Sequence, residues 1–432
     1  MNKEKRTLQK KIVAWAMYDF ANSAFTTIIV TFVFAAYFTQ EIASDKNTGT
    51  ALWADAIAFS SLVIAILSPV IGAVSDRIGY RKHFLFGMTT ILVAACASLY
   101  GVEPGQVGRA LTLFIIANIA FELGIVFYNS FLPDFAPKNK IGRISGFAWA
   151  MGYIGGLLAL TIVLFGFIQA DPPWFGLSST EGQNIRATNL LTAAWIFIFS
   201  LPLFFWLKDD KPGQKAGCRH LIKGTALQLL ATFRELKNYR QIIRFLFARI
   251  MYNDGLLTIF AFGGIYAAGT FNFTTDEIIM LGIVLNISAG AGSLALGYLD
   301  DLLGSKHTLL LSIAGLVLAT ILAVAATTKF WFWVAGITIG LFVGPNQASS
   351  RAMMARFIPM GKENEFFGFF AFSGKATAFL GPLMLGKITS LFGSQRLGVA
   401  SLLIFFIAGA TLLLRVDEKE GIAAAKNSRK ST

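Results

Sequence analysis

The sequence predicts an all-α integral membrane protein with twelve transmembrane helices in two six-helix, pseudo-symmetric bundles. Three observations carry that prediction: a composition too apolar for a soluble chain of this length, apolar stretches of spanning length in two sets of six, and a charged, glycine-bracketed motif that recurs half a chain later. Of 432 residues, 55% are hydrophobic and 14% charged, and the mean hydropathy is +0.63. A spanning helix takes about 20 residues, so twelve take roughly 240.

In chain order the apolar stretches fall near residues 13–39, 51–74, 83–101, 109–132, 144–169 and 187–207, then 241–270, 276–299, 307–328, 331–355, 365–391 and 395–414. The first follows a basic start, Lys3, Lys5, Arg6, Lys10 and Lys11, and is too long for a signal-peptide core. It is expected to serve as insertion signal and first helix together. The domain plan is an N-terminal six-helix bundle over 1–207, a cytoplasmic linker over 208–240, a C-terminal six-helix bundle over 241–415 and a cytoplasmic tail over 416–432. In the linker, Ile222, Ala226, Leu229, Leu230 and Phe233 form an apolar stripe at helical spacing, opposite Lys223, Arg234 and Lys237. This predicts an amphipathic helix, either on the inner leaflet or as a solvated linker. The loop 171–186, with Pro172, Pro173 and Trp174, reads as an ordered cap at the opposite interface.

The net charge of +13 would suggest nucleic acid in a soluble chain. Topology accounts for it instead. With the N-terminus inside, 29 Lys and Arg fall on that side, five on the other and three within spans. The bias places both termini in the cytoplasm, in a multi-pass protein of the inner or plasma membrane, with membrane lipids and a small-molecule substrate as partners and no nucleic acid. A monomer is expected. Cys96 and Cys218 give neither a disulfide framework nor metal-ligand spacing, and no cofactor or metal is expected beyond a coupling proton.

The recurring motif is GAVSDRIGYRK at 72–82, with Gly72, Asp76, Arg77, Gly79 and Arg81, read as a short charged hairpin between two spans. It returns 225 residues later as Gly297, Asp301, Gly304 and Lys306. A loop on the positive side explains one copy but not two in register. The pattern resembles the signature loop between the second and third helices of the major facilitator superfamily, departing from it at Tyr80 and, in the second copy, at Leu302.

Ionisable groups within spans cost roughly 2.5–3.5 kcal/mol each at mid-membrane depth, so they mark either pathways or interhelical pairs. Asp19 shares a helix face with Asn22, Ser23 and Thr26, and Glu122 shares one with Asn118 and Asn129. Arg249, Tyr252, Asn253 and Asp254 cluster in the first turns of the seventh helix, with gating or structural roles expected for Arg249 and Asp254. Lys375 lies about 15 Å deep in the eleventh helix.

The opening helix, with Trp15, Ala16, Tyr18, Asp19, Ala21, Asn22, Ser23, Ala24 and Phe25, resembles that of the "unknown major facilitator" family, whose eukaryotic branch contains the autophagy-linked vacuolar amino-acid effluxers. Four further blocks agree. They are Leu132, Pro133 and Asp134 with 141–143 and 145–149; 252–256 with 262–266; 347–351 with Arg356 and Pro359; and 365–368 with Ser373, Gly374, Lys375, Gly381 and Pro382. The resemblance implies the twelve-helix facilitator fold and, by analogy with the eukaryotic branch, release of amino acids.

The expected activity is secondary active transport of a small polar solute, an amino acid in the efflux or release direction, by alternating access. In this reading Lys375 anchors a carboxylate, Asp19 or Glu122 holds the amino group or a coupling proton, and Asn22, Asn118 and Asn253 complete the polar lining. Asp76 secures a closed gate at the start of the eleventh helix, while Asp134 with Arg143, and Arg356 with Glu365, brace each half. The alternative is a lipid or amphiphile translocator with a lateral groove, motivated by 41 phenylalanines and the linker stripe. An enzyme is not expected, because no nucleophile and base, metal cluster or phosphate loop is present.

Overall fold

The computed structural model describes residues 3–179, 182–209, 224, 225, 227, 232 and 239–427. The predicted linker stripe at Ile222, Ala226, Leu229, Leu230 and Phe233 lies outside the described residues. No strand occurs among the described residues. Among the described residues, eleven helices are long and apolar enough to cross a membrane: α1 (Glu4–Ile42), α2 (Lys46–Ile78), α3 (Arg81–Gly101), α4 (Val107–Phe135), α5 (Lys138–Ile168), α6 (Gln183–Trp206), α7 (Arg240–Phe271), α8 (Asp276–Leu303), α9 (Ser305–Ala325), α11 (Glu363–Phe392) and α12 (Gln395–Leu414).

The twelfth spanning helix, α10 (Lys329–Phe357), is long enough at 29 residues, but its second half carries Pro345, Asn346, Gln347, Ser349, Ser350 and Arg351. All of these except Gln347 are buried, so protein rather than lipid surrounds them. A helix with this many polar groups is tolerated in a membrane only when its neighbours satisfy them. A short helix, α13 (Glu418–Asn427), follows α12.

Lipid-facing surface is legible on α2. Phe59, Leu62, Ile66 and Val70 recur at three- and four-residue spacing and are 39–60% exposed, a stripe that water would penalise and hydrocarbon accepts.

The motif at 72–82 is not a hairpin of that length. Helix α2 continues to Ile78 and α3 resumes at Arg81, so Asp76 sits in the last turn of a helix. Gly79 makes this abrupt reversal possible at φ 76°, as does Gly304 at φ 91° between α8 and α9, a conformation in which a Cβ clashes.

The backbone groups exposed at each reversal are met by an acid from beyond the sixth or twelfth helix. Asp209 accepts from the Lys82 amide at 2.9 Å, and Lys82 Nζ reaches the Leu207 carbonyl at 2.7 Å. In the second copy Glu418 accepts from the Ser305 and Lys306 amides at 3.0 and 2.9 Å, and Lys306 Nζ donates to the Leu414 carbonyl at 2.9 Å. The structural equivalent of Lys306 is thus Lys82 rather than Arg81, one residue off the sequence register.

The chain forms two compact units. The first comprises Met1–Leu67, Ile78–Tyr128 and Met151–Lys215. Its core is aromatic. Trp53 lies 4.0 Å from Phe114 and 5.2 Å from Phe38 between ring centroids. Trp15 stacks on Tyr128 and donates to the Tyr128 carbonyl at 2.9 Å, which satisfies the one polar atom of an otherwise apolar ring. Helix α1 meets α5 closely because Gly155 sits against the Phe20 carbonyl, where no Cβ fits.

The second unit comprises Ser68–Arg77, Asn129–Ala150 and Ala216–Thr432. Helices α8 and α10 approach along a stripe of small residues, with Gly340 against Leu285, Gly344 against Ala289, and Gly292 against the Leu341 carbonyl. Without a hydrophobic driving force in lipid, such close backbone contact is a principal source of helix association.

Candidate functional site

Two latches in the second unit use the same chemistry. Asp76, at the end of α2, accepts from the Asn364 amide at 3.0 Å, the Asn364 side chain at 2.7 Å and the Glu365 amide at 2.7 Å. These are unbonded donors of the first turn of α11, and the carboxylate also faces the positive end of that helix. One turn earlier, Gly72 lies against the Asn364 carbonyl. Two turns earlier, Ser68 Oγ donates to the Gly368 carbonyl at 3.1 Å.

Asp301, at the end of α8, accepts from the Gly142 amide at 2.8 Å, the Arg143 amide at 3.1 Å and Arg143 Nε at 2.7 Å, all at the start of α5. Gly297 and Gly146 allow that approach, Gly146 lying against the Ser293 carbonyl. Arg356 pairs with Asp300, and with Asp301 at 3.0 Å. Thus Arg356 is engaged by the acids of α8, where a brace with Glu365 was expected. Glu365 instead contributes its backbone amide to Asp76. Of the other motif residues, Asp134 is exposed, Arg77 is half-buried against Gly224, and Arg81 is buried 3.3 Å from Asp209.

The ionisable residues of α7 lie deeper than the first turns. Because the helix begins at Arg240, Arg249 stands about 14 Å along it and Asp254 about 21 Å, close to its midpoint. Both are buried, at 6% and 1% exposure. Arg249 donates to the Phe370 carbonyl and to Ser373 Oγ, both at 2.8 Å, with its guanidinium 3.7 Å from the Phe370 ring centroid. Asn253 donates to the Gly374 carbonyl at 3.3 Å and accepts from Gln347 at 3.2 Å. Tyr252 and Ser350 share a hydrogen bond of 2.8 Å.

These groups converge on an interruption in α11. The helix runs from Glu363 to Lys375, turns through 376–379 and resumes over Leu380–Phe392. Pro382 explains the break, since it lacks the amide that would bond the Ala378 carbonyl and its ring crowds that oxygen. Lys375 is the last residue before the interruption and is half-buried. The turn is a local tightening: the Ala378 and Leu380 amides bond the Lys375 and Thr377 carbonyls at 3.4 and 2.8 Å, and Asn253 meets the Gly374 carbonyl that this leaves out of the helix ladder.

In the first unit, Asp19 is half-buried and its carbonyl accepts from Ser23 Oγ at 2.9 Å. Asn22 is buried at 3% exposure. Gly152 of α5 borders this face, close to Ser23 Oγ and Asp19 Cβ. Asn118 donates to Ser60 of α2 at 2.7 Å, and Glu122, one turn on, is half-buried. Asn129, on the same face of α4, belongs to the second unit and accepts from Arg351 at 3.4 Å.

Arg351 was not anticipated as a site residue. It is buried, donates to Ser145 through Nε and Nη2 at 2.9 and 2.8 Å, and lies 5.6 Å from the Trp149 ring centroid. Its signal was present in the block 347–351, which carries a cation inside an apolar stretch. Among the described residues, no group of three His, Cys, Asp or Glu stands where it could hold a metal ion.

Comparison with known proteins agrees with this architecture. A family model described as "Vacuole effluxer Atg22 like" matches residues 45–426. The Bacillus subtilis MFS-type transporter YxiO is 26% identical over 416 residues, covering 94% of each chain. Autophagy-related protein 22 of Pichia angusta is 26% identical over 427 residues, covering 85% of this chain and 75% of its own. Among solved structures, the proton:xylose symporter XylE bound to 6-bromo-6-deoxy-D-glucose superposes with a TM-score of 0.72 at 14% identity, covering 95% of both chains. The human organic anion transporter MFSD10 superposes with a TM-score of 0.70 at 14% identity, covering 96% of this chain and all of its own. At those identities the structural likeness speaks to the fold alone. The chain is a multi-pass membrane protein with the major facilitator fold, and it belongs to the Atg22-like vacuole effluxer family.

Proposed function

We propose that this transporter releases or exports a small polar solute, with an amino acid as the favoured class, by alternating access. The observation that supports this most directly is the polar constellation of Arg249, Asn253, Gln347 and Lys375 around the interruption in α11, at a depth where each ionisable group costs roughly 2.5–3.5 kcal/mol and is retained for use or for pairing. Arg249 is committed to α11 by two hydrogen bonds. Lys375 closes the first segment of α11 and is assigned the substrate carboxylate in this reading. Within the first unit, Asp19, Asn22, Asn118 and Glu122 are the polar groups of α1 and α4 that this reading assigns to solute binding or coupling. The excess of Lys and Arg on one side supports cytoplasmic termini and, with them, a cytoplasmic position for both acid latches. A monomer in the cell membrane, with bundles over 1–207 and 241–415, fits this reading.

The test is counterflow in proteoliposomes loaded with unlabelled L-amino acids and challenged with the labelled mixture. Wild-type protein is expected to accumulate label and Lys375→Ala to lose it. Wild-type counterflow retained in full by Lys375→Ala removes Lys375 from the binding role, and no counterflow of any amino acid by wild-type sinks the substrate class. Counterflow of a labelled lipid in its place turns the assignment to an amphiphile.

A further inference from the structure

We infer that Asp254 takes up and releases the coupling proton of the transport cycle, at the interruption in α11. The inference rests on the transporter reading above.

Asp254 is set apart from the other buried acids by what surrounds it. Asp76 accepts three hydrogen bonds and Asp301 four, Asp300 pairs with Arg356, and Glu363 accepts from the Gly361 amide. Among the described residues, Asp254 is the buried acid for which neither carboxyl oxygen has a hydrogen-bond partner. It is 1% exposed. A latch or brace made from a carboxylate needs donors that close on it, and neither oxygen of this one closes a hydrogen bond of full geometry, which argues against the gating or structural role expected from its place in the sequence.

Its neighbourhood is apolar on one side and broken backbone on the other. Gly255, the next residue, packs on Phe405 and Phe406 of α12. The Gly381 amide, in the first turn of the resumed α11, turns toward the carboxyl without closing a hydrogen bond of full geometry. Gly381 also lies against the Asp254 carbonyl and Thr258, whose hydroxyl is committed to that carbonyl at 2.7 Å.

Three cations on the elements packed around α7 are engaged elsewhere. Arg249 bonds Phe370 and Ser373, Arg351 bonds Ser145, and Arg396 of α12 bonds the Val324 carbonyl. Lys375 ends the first segment of α11, and Lys387 lies six residues beyond Gly381. No ion pair joins any of them to Asp254 among the described residues. Tyr252, the remaining titratable group nearby, bonds Ser350.

An ionised carboxylate here would be desolvated with no counter-charge, whereas the protonated acid carries no charge to bury. The site therefore holds a proton in this conformation and gives it to water when the break in α11 rearranges and wets it. One proton binds one carboxylate oxygen and leaves from the same oxygen, so a cycle that exposes Asp254 to each side in turn moves one proton with each passage. The apolar wall and absent ligands argue against a metal cation, which needs several oxygens at once.

The test uses the full-length protein in proteoliposomes and has two arms. Dicyclohexylcarbodiimide adds to protonated carboxyls in apolar surroundings, so peptide mapping of the labelled wild-type protein reads Asp254 without any substrate. Labelling is expected on Asp254 at acidic pH and to be lost as pH rises. The absence of label at every pH overturns the inference. In the second arm, accumulation of the labelled L-amino-acid mixture driven by a pH gradient is compared with its counterflow. Asp254→Asn is expected to lose gradient-driven accumulation by a much larger factor than counterflow, with partial recovery in Asp254→Glu. Equal loss of both, or accumulation driven by sodium and indifferent to the pH gradient, overturns it. If wild-type moves no amino acid in either mode, the substrate reading fails, and the carbodiimide arm still decides the proton site.

Discussion

Replacing Asp76 by alanine should release the first turn of α11 specifically, and the size of the effect follows from three hydrogen bonds. The carboxylate satisfies two backbone amides, of Asn364 and Glu365, and the Asn364 side chain. Asn364 and Glu365 are 3% and 0% exposed, so water does not replace the lost acceptor while the latch stays closed. A buried donor without a partner costs about 1–3 kcal/mol, and N-cap deletions typically cost about 1 kcal/mol. Two amides together give about 3 kcal/mol, or roughly a hundredfold at 1.4 kcal/mol per decade. Local opening of this turn should rise by that factor, since exchange of a buried amide tracks the free energy of the opening that exposes it.

Hydrogen exchange read by mass spectrometry on the peptide containing Asn364 and Glu365 measures it directly. Asp76→Ala should speed exchange there by about two decades, and Asp76→Asn by less, because an amide keeps one acceptor oxygen. The peptide containing Gly142 and Arg143, held by Asp301, serves as the internal control. The reasoning is refuted if exchange at 364–365 is unchanged, or if Asp76→Ala deprotects both sites equally, which would mean that the substitution loosens the fold rather than one latch.

The converse variant, Asp301→Ala, should deprotect Gly142 and Arg143 and leave 364–365 alone, by the same exchange measurement. Arg249→Ala removes two hydrogen bonds from a charged donor to α11, at about 1.5–3 kcal/mol each; the thermal midpoint should fall, and Arg249→Lys should not restore it because an ammonium cannot reproduce the guanidinium's planar fork. Glu418→Ala should cost about 1 kcal/mol and deprotect only the Ser305 and Lys306 amides, with Asp209→Ala doing the same for Lys82. Gly146→Val should separate α5 from α8, because a side chain there meets the Ser293 carbonyl; a disulfide engineered across that contact in the wild-type background should no longer form in the valine variant.

Twelve apolar stretches and one repeated motif were enough to read the fold, because hydrophobic length and the spacing of Gly72, Asp76 and Gly79 are local properties of sequence. What could not be read is what tertiary contact decides. The sequence places Arg249 and Asp254 in the first turns of the seventh helix although the predicted stretch, 241–270, begins within one residue of α7; what it leaves unread is how far along the helix the neighbouring elements meet those side chains. The break in α11 had a signal, Pro382 after Gly381, but a proline inside an apolar run is equally compatible with a kink. Arg356 was expected to brace with Glu365, whereas the fold brings Asp300 and Asp301 to it from the end of α8. The caps by Asp209 and Glu418 carry no motif at all, because an acid beyond a helix is unremarkable until the chain folds it back onto another helix's first turn.

The two latches limit how much binding energy the proposed cycle requires. On opening, their six acid-held hydrogen bonds are exchanged for bonds to water, so each contributes a net of about 0.5–1.5 kcal/mol, or about 3–9 kcal/mol together. A solute shifts an equilibrium only by its differential affinity for the two states, and moving a population from 1:99 to 99:1 already takes about 5.5 kcal/mol. Contacts of this size are therefore too strong to be broken by a weakly bound polar solute alone, and too weak to lock the molecule. The deficit has to be met by bonds that form elsewhere as these break, or by the protonation change at a buried carboxyl, whose charge costs as much as several latch bonds. In the proposed cycle, an acid without a closed hydrogen bond at the midpoint of α7 and a donor-rich acid at the end of α2 would act together: the second sets the height of the step, and the first supplies energy of the same order.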